Sequence, residues 1–80
     1  MASFEVRVVN ENEEPVHGAQ VKLEFTYLRR GMSSQEYTDS DGMALFYGHD
    51  QGEIHIFING DNYGKYRYED GEQVTITSKL

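Results

Sequence analysis

The stretch "ALFYGHDQGEIHIFI", residues 44–58, decides the fold class of this chain. On both sides of its central loop, which has a glycine at each end, apolar side chains recur at every second position. A period of two is typical of β-strands that bury one face and expose the other. We therefore predict two strands whose even-numbered side chains point into one core: Ala44, Phe46, Ile54, Ile56 and Ile58.

The same alternation recurs along the rest of the chain. It predicts strands at 4–9, 19–28, 35–39, 43–47, 53–59, 65–68 and 73–78. Turn-forming residues separate these strands, including a corner at 39–42 and a turn at 60–64. No segment has a helical repeat with capping residues. The sequence therefore predicts one all-β domain over residues 1–80, a seven-stranded antiparallel Greek-key β-sandwich.

Composition excludes several classes of function. The 80 residues include no cysteine, which excludes disulfides, a thiolate nucleophile and a cysteine-based zinc site. The formal charge of −7 would repel a phosphate backbone, so we expect no nucleic-acid partner. No apolar run is long enough to span a bilayer, so we expect no membrane insertion. The opening "MASFEVRVV" lacks the basic and apolar regions of a signal peptide, and this leaves the compartment open.

The acidic tetrapeptide Asp39-Ser40-Asp41-Gly42 has two interpretations. Asp39 and Asp41 are spaced like the first ligands of a calcium loop, but Met43 and Leu45 stand where further oxygen ligands would be needed. The favoured interpretation is a hairpin corner, in which Asp carboxylates cap turn amides and Gly42 supplies a positive φ. A cation site is the alternative.

The three histidines, His17, His49 and His55, have no metal-ligand spacing. We therefore predict no metal site and no cofactor. No cysteine or nucleophile motif points to catalysis, so we predict no catalytic residues. The ending Ser78-Lys79-Leu80 would be a peroxisomal address only at a true C-terminus, and the sequence leaves that question open.

Three segments, in this order and spacing, resemble a known kind of module. They are "PVHGAQV" at 15–21, "TDSDG" at 38–42 followed by Ala44 and Phe46, and the glycine-led strand at 52–58. Together they resemble transthyretin-like or carboxypeptidase-regulatory-like modules, which have Ig-like or prealbumin-like β-sandwich folds. Similar modules are accessory domains of bacterial transglutaminase-like or peptidase-like surface proteins.

The resemblance implies a non-catalytic accessory module, a fragment of a larger bacterial extracytoplasmic protein at the cell surface or in the periplasm. Its partner would be a neighbouring domain of that protein or a second copy of the module. One enzymatic branch of the transthyretin-like fold, hydroxyisourate hydrolase, ends in a Tyr-Arg-Gly-Ser signature. This chain ends in "TITSKL" instead, so the resemblance does not extend to that activity.

At Gly18-Ala19 we expect a strand entry where a Cβ would crowd the opposite sheet.

Two surfaces are candidates for binding. If the even-numbered residues face the core, four large side chains face outward and form a candidate docking face: Met43, Leu45, Tyr47 and Phe57. The alternative is that the stems of Arg29, Lys65 or Arg67 cover these side chains. A second candidate is a platform of tyrosines that would stack on a carbohydrate: Tyr63, Tyr66 and Tyr68.

Overall fold

The computed structural model describes residues 2–25, 33–49 and 51–79. Seven strands occupy these ranges: β1 Ala2–Val9, β2 Gln20–Phe25, β3 Ser33–Tyr37, β4 Met43–His49, β5 Gly52–Ile58, β6 Asp61–Tyr68 and β7 Glu72–Thr77. The prediction of a seven-stranded β-sandwich is confirmed. Residues 26–28 of the predicted second strand lie outside the described ranges. Within those ranges, no helix is long and apolar enough to cross a membrane.

The strands form two sheets, one of three strands in the order β4-β1-β7 and one of four in the order β3-β2-β5-β6. All pairings between neighbouring strands are antiparallel except that of β1 with β7, so the predicted antiparallel arrangement is wrong for this one pair. These two strands run parallel in continuous register, from Phe4 opposite Glu72 to Val9 opposite Thr77. Because they run in the same direction, β1 begins at one end of the sandwich and β7 finishes at the other.

The core lies between the two sheets and is filled by alternate side chains from both. Phe46 and Ile56 are buried, and Leu45 and Tyr47 are exposed at 40% and 63%. The predicted inward direction of the even-numbered side chains from Ala44 to Ile58 is therefore confirmed. Tyr68 is also part of the core, with its ring centroid 5.0 Å from that of Phe4 and 5.8 Å from that of Phe25.

The turn at 39–42 crosses from one sheet to the other. β3, which precedes it, pairs with β2, whereas β4, which follows it, pairs with β1. The prediction of a hairpin corner is wrong in this respect, because the two strands that it joins do not pair with each other. The corner is a crossover that closes one side of the sandwich.

The hairpin between β5 and β6 turns earlier than predicted. Ile58 pairs with Asp61, and both residues between them have positive φ, 50° for Asn59 and 89° for Gly60. Two such residues define a type I′ turn, which matches the twist of the flanking strands. The predicted turn at 60–64 is wrong, because Asp61–Tyr68 is strand. The signal that was missed is Asn-Gly between alternating apolar residues, which strongly predicts a hairpin.

Gly18 is required for a different reason from the one expected. A Cβ on this residue would meet no atom within 4 Å, so it would not crowd the opposite sheet. Its φ of 79° lies in the left-handed region, where a side chain costs about 1–2 kcal/mol. Gly18 therefore serves the backbone conformation at the entry to β2.

Candidate functional site

The carboxylate of Asp39 organises the corner. Its Oδ1 accepts hydrogen bonds from the amides of Asp41, at 2.8 Å, and Met43, at 3.0 Å. The Asp39 amide donates to the Met43 carbonyl, and the Gly42 amide donates to the Asp39 carbonyl, both at 3.0 Å. The amides of Met43 and Asp41 hold the pKa of the Asp39 carboxyl below its usual value. The prediction that an Asp carboxylate caps turn amides here is confirmed.

Gly42 lets the corner approach the end of β1 closely. Its φ is 75°, and a Cβ on it would lie 2.5 Å from the carbonyl oxygen of Val8 and 3.1 Å from Cβ of Pro15. The Val8 amide donates to the Gly42 carbonyl at 2.7 Å, and the Val16 amide donates to the Val8 carbonyl at 2.9 Å. Gly42 therefore satisfies both a backbone requirement and a steric one, since the corner and the 10–18 loop meet at Val8.

Thr38 ties the corner to the start of β2. Its buried hydroxyl donates to the Val16 carbonyl at 2.6 Å and accepts from the Ala19 amide at 2.8 Å. The Thr38 amide also donates to the Ala19 carbonyl at 2.9 Å. The side chains of Thr38 and Asp39 thus both make structural hydrogen bonds, as expected of a corner.

The histidines and acidic residues do not converge on a metal site in the part of the chain that the structure describes. Within it, no three His, Asp or Glu side chains are grouped so that they could hold an ion. His17 is exposed beside the corner, and His55 is half-buried on β5. The side chain of His49 lies outside the described atoms.

The four residues predicted to form one docking face lie on two different surfaces. Met43, Leu45 and Tyr47 follow one another along the outer face of β4, at an edge of the three-stranded sheet. Phe57 lies on β5 in the four-stranded sheet, where it pairs with Lys22 and Asn62. The single face is therefore wrong, because strands β4 and β5 belong to opposite sheets whose outer faces point apart.

What remains is an apolar stripe along β4, formed by Met43, Leu45 and Tyr47, and we call it the β4 stripe. Its neighbours on the adjacent strand β1 are Arg7, Glu5 and Ser3, each directly opposite one residue of the stripe. Arg29, one of the side chains expected to cover the apolar residues, lies outside the described residues. A docking role for the stripe stays a prediction.

The three tyrosines of the proposed carbohydrate platform do not share an exposed surface. Tyr68 is fully buried, and Tyr63 and Tyr66 are half-buried and pack against the core. The register of β5 with β6 shifts between His55 and Phe57, so β6 has one extra residue there. Such a bulge changes the face on which later side chains lie. The platform is therefore wrong for Tyr68, because its ring belongs to the core.

Two surface depressions lie beside β6. One, of about 360 Å³, is lined by Glu53, Lys65, Tyr66 and Arg67. The other, of about 810 Å³, is lined by Asp61, Asn62, Tyr63, Gly64 and Lys79. Neither of these lining sets combines a serine with a histidine base or brings two carboxylates together, which are the arrangements that nucleophilic and glycosidic hydrolysis need.

Over the residues that the structure describes, the fold is a β-sandwich of two sheets and seven strands. No known family model matches the chain, and no curated protein matches its sequence. Solved structures do match its fold. The chain is similar over 98% of its length to part of the Bacillus anthracis TIE protein, with a TM-score of 0.71 and 15% identity, covering 16% of that chain.

Two crystal structures of BcpA, the major pilin subunit of Bacillus cereus, are also similar. A variant of that protein matches over 100% of this chain and 30% of its own, with a TM-score of 0.72 and 13% identity. Another structure of BcpA matches over 98% of this chain and 29% of its own, with a TM-score of 0.65 and 14% identity. This chain therefore spans less than a third of each of these proteins, and the likeness establishes the β-sandwich fold.

Proposed function

We propose that this chain is a non-catalytic β-sandwich module of a larger bacterial extracytoplasmic protein, in which it spaces and docks a neighbouring domain. The observation that carries the proposal is how much of each chain the structural match covers. The whole sandwich, 98–100% of this chain, corresponds to only 16–30% of the proteins that it resembles. A domain that forms only part of each of several longer proteins is typical of a building block in multidomain chains.

The position of the first and last strands supports a spacing role. The start of β1 and the end of β7 are roughly 23 Å apart along the strand direction, at about 3.3 Å per residue. A neighbour joined before β1 and another joined after β7 would therefore be held on opposite sides of the module.

The chemistry of the most motif-like segment supports a non-catalytic role. The Asp39 carboxylate and the Thr38 hydroxyl make hydrogen bonds to backbone groups of the corner and of the adjoining loop. These hydrogen bonds stabilise the connection between the sheets, which supports a structural role for both side chains.

The β4 stripe supports a weak docking role. Three side chains expose far less than the roughly 800 Å² that each partner contributes to a standard interface between separate proteins. Contacts between domains of one chain are smaller and more polar, and the covalent link raises the effective concentration of the neighbour. The stripe therefore suits a tethered neighbouring domain better than a free second copy.

The test is a replacement in the full-length protein that contains this chain. Residues 2–79 are exchanged for an unrelated β-sandwich that also begins and ends at opposite ends. In parallel, the double variant Leu45→Lys plus Tyr47→Lys disrupts the stripe. Thr75→Lys, an exposed position of β7 on the same sheet, is the matched control.

Full activity after the replacement would support spacing alone. Loss of activity in both the replacement and the stripe variant, with Thr75→Lys unaffected, would support docking through the β4 stripe. Loss in the replacement while the stripe variant stays active would overturn the proposal, because a specific ligand or chemistry elsewhere on the module would then be required.

A further inference from the structure

We propose that the parallel pair of β1 and β7 is a mechanical clamp that lets this module transmit tension between its two ends. The clamp consists of residues 4–9 and 72–77, which are paired in continuous register. This inference rests on the proposed function in one respect, since tension reaches the module only if neighbours are attached at both ends.

The geometry places the clamp in shear. A force applied at the start of β1 and at the end of β7 pulls the two strands past each other along their own length. Hydrogen bonds between parallel strands are evenly spaced along the pair. Six residue pairs therefore share the force together. A force that peeled the strands apart from one end would load each pair in turn.

The lower end of the clamp, where both strands begin, has additional hydrogen bonds. The Gly71 amide donates to the Ser3 carbonyl at 2.8 Å. The Ser3 amide donates to Oδ1 of Asp70, also at 2.8 Å. These bonds extend the pairing beyond residue 72, the first paired residue of β7.

The upper end, where force on β7 would enter, is attached to both sheets. The Ser78 amide donates to the Val9 carbonyl at 2.7 Å, and the Ser78 residue is fully buried. The Lys79 amide donates to the hydroxyl of Tyr63 at 3.3 Å, and Tyr63 belongs to the other sheet. The chain leaving β7 is thus attached both to β1 and to the four-stranded sheet.

The first strand is held on both sides. β1 is the central strand of its sheet, and its antiparallel pairing with β4 runs from Ala2 opposite His49 to Arg7 opposite Met43. Within the described residues, β7 pairs in its sheet with β1 alone. The release of β7 from β1 is therefore the step that limits extension, and side chains of β7 such as Ile76, which is buried, resist it.

The experiment compares two directions of force on the same 80-residue chain in a single-molecule pulling assay. In the shear geometry, handles are attached at the two ends of the chain. In the peeling geometry, one handle is at the N-terminus and the other at Glu72→Cys, an exposed position beside Phe4. The chain has no cysteine of its own, so a single introduced thiol defines the attachment point. We expect a higher rupture force in the shear geometry than in the peeling geometry, because six residue pairs share the load in shear and are loaded in turn in peeling. Equal rupture forces in the two directions would overturn the clamp.

Two matched variants test which strand contacts set the force. Ile76→Val removes one methylene from β7, and Ile58→Val removes the same group from β5 in the other sheet; both side chains are buried. Each is expected to lower the free energy of unfolding in denaturant. Only Ile76→Val should lower the rupture force in the shear geometry. An equal fall in both variants would overturn the assignment of the limiting step to β7.

The clamp and the proposed function fail in distinguishable ways. The dependence on direction is a property of this chain and is measured without its neighbours. The replacement experiment is read in the parent protein. If replacement preserves activity while the two directions give equal forces, the module is a spacer without a mechanical clamp. If the directions differ while replacement abolishes an activity that the β4 stripe does not explain, the clamp stands and the proposed function falls.

Discussion

Two glycine-containing turns of this molecule look alike in sequence and perform different tasks. The corner at 39–42 carries the chain from one sheet to the other, whereas Asn59-Gly60 joins neighbouring strands of one sheet. Gly42 is buried against the end of β1, while a Cβ on Gly60 would meet no atom within 4 Å. Turn composition therefore indicates where a chain reverses, and contacts made beyond the turn decide which sheet it enters.

The strongest test of this difference is Gly42→Ala. A Cβ at this position would lie 2.5 Å from the Val8 carbonyl oxygen, and alanine is also unfavourable at a φ of 75°. We expect a loss of about 3 kcal/mol or more in the free energy of unfolding, from the left-handed backbone and the overpacking together. Denaturant titration of the purified chain measures it.

Gly71→Ala is the matched control for this prediction. Gly71 has a φ of 78°, nearly the same as Gly42, but a Cβ on it would meet no atom within 4 Å. The expected loss is about 1 kcal/mol, from the backbone alone. If the two variants lost the same free energy, the close approach of the corner to β1 would not matter for stability.

In the hairpin turn, we expect Asn59→Ala to lower the free energy of unfolding by about 1–2 kcal/mol. Alanine is disfavoured at the φ of 50°, and the substitution removes the hydrogen bond that the Gln20 amide donates to Oδ1 of Asn59 at 3.0 Å. Asn59→Gly loses that bond but keeps the permitted backbone. The expected order of stability in denaturant is wild type, then glycine, then alanine; alanine and glycine of equal stability would contradict the type I′ requirement.

The cap of the corner predicts a smaller effect for Asp39→Ala. This variant removes the acceptor for the amides of Asp41 and Met43, and the melting temperature should fall by several degrees. Asp39→Asn keeps an acceptor oxygen, so its melting temperature should fall less. Asp41→Ala, which removes a carboxylate two residues away, is the matched control. A melting temperature as low for Asp41→Ala as for Asp39→Ala would argue against a specific cap.

The smallest expected effect is the change with pH in the stability that the Asp39 carboxylate contributes. Because the amides lower the pKa of Asp39 in the folded state, its charge contributes stability above the pKa of the unfolded chain. This contribution is lost as the pH falls through the lower folded pKa. The difference in stability between wild type and Asp39→Asn should be constant above about pH 5 and shrink below about pH 4. A difference that grew as the pH fell would reverse the assigned sign.

The alternation of side chains predicted the core and the fold class. Phe46 and Ile56 are buried as expected, because the pleat of a strand dictates which side chains share a face. The partner of each strand could not be predicted in the same way. The pattern groups Phe57 with the β4 stripe because both point away from the core, but period-two patterning does not say to which sheet a strand belongs.

The tyrosines show a second limit of the pattern. Tyr63 and Tyr66 have opposite parity in sequence, yet both pack against the core. The extra residue in β6 explains this, since it shifts the alternation by one position. Gly64, with a φ of 106°, lies at this bulge. An isolated glycine within a strand pattern is the available signal for such a shift, but it does not predict the side chains that follow.

The shared direction of β1 and β7 also restricts how this unit can be combined with others. Insertion into a surface loop of a host requires both ends of the guest to lie close together, and here they are roughly 23 Å apart along the strands. A circular permutant would need a linker of about seven or more extended residues to bridge that gap. Gene fusion in series is therefore the rearrangement that this architecture accommodates, and long arrays can grow by repeated end-to-end duplication.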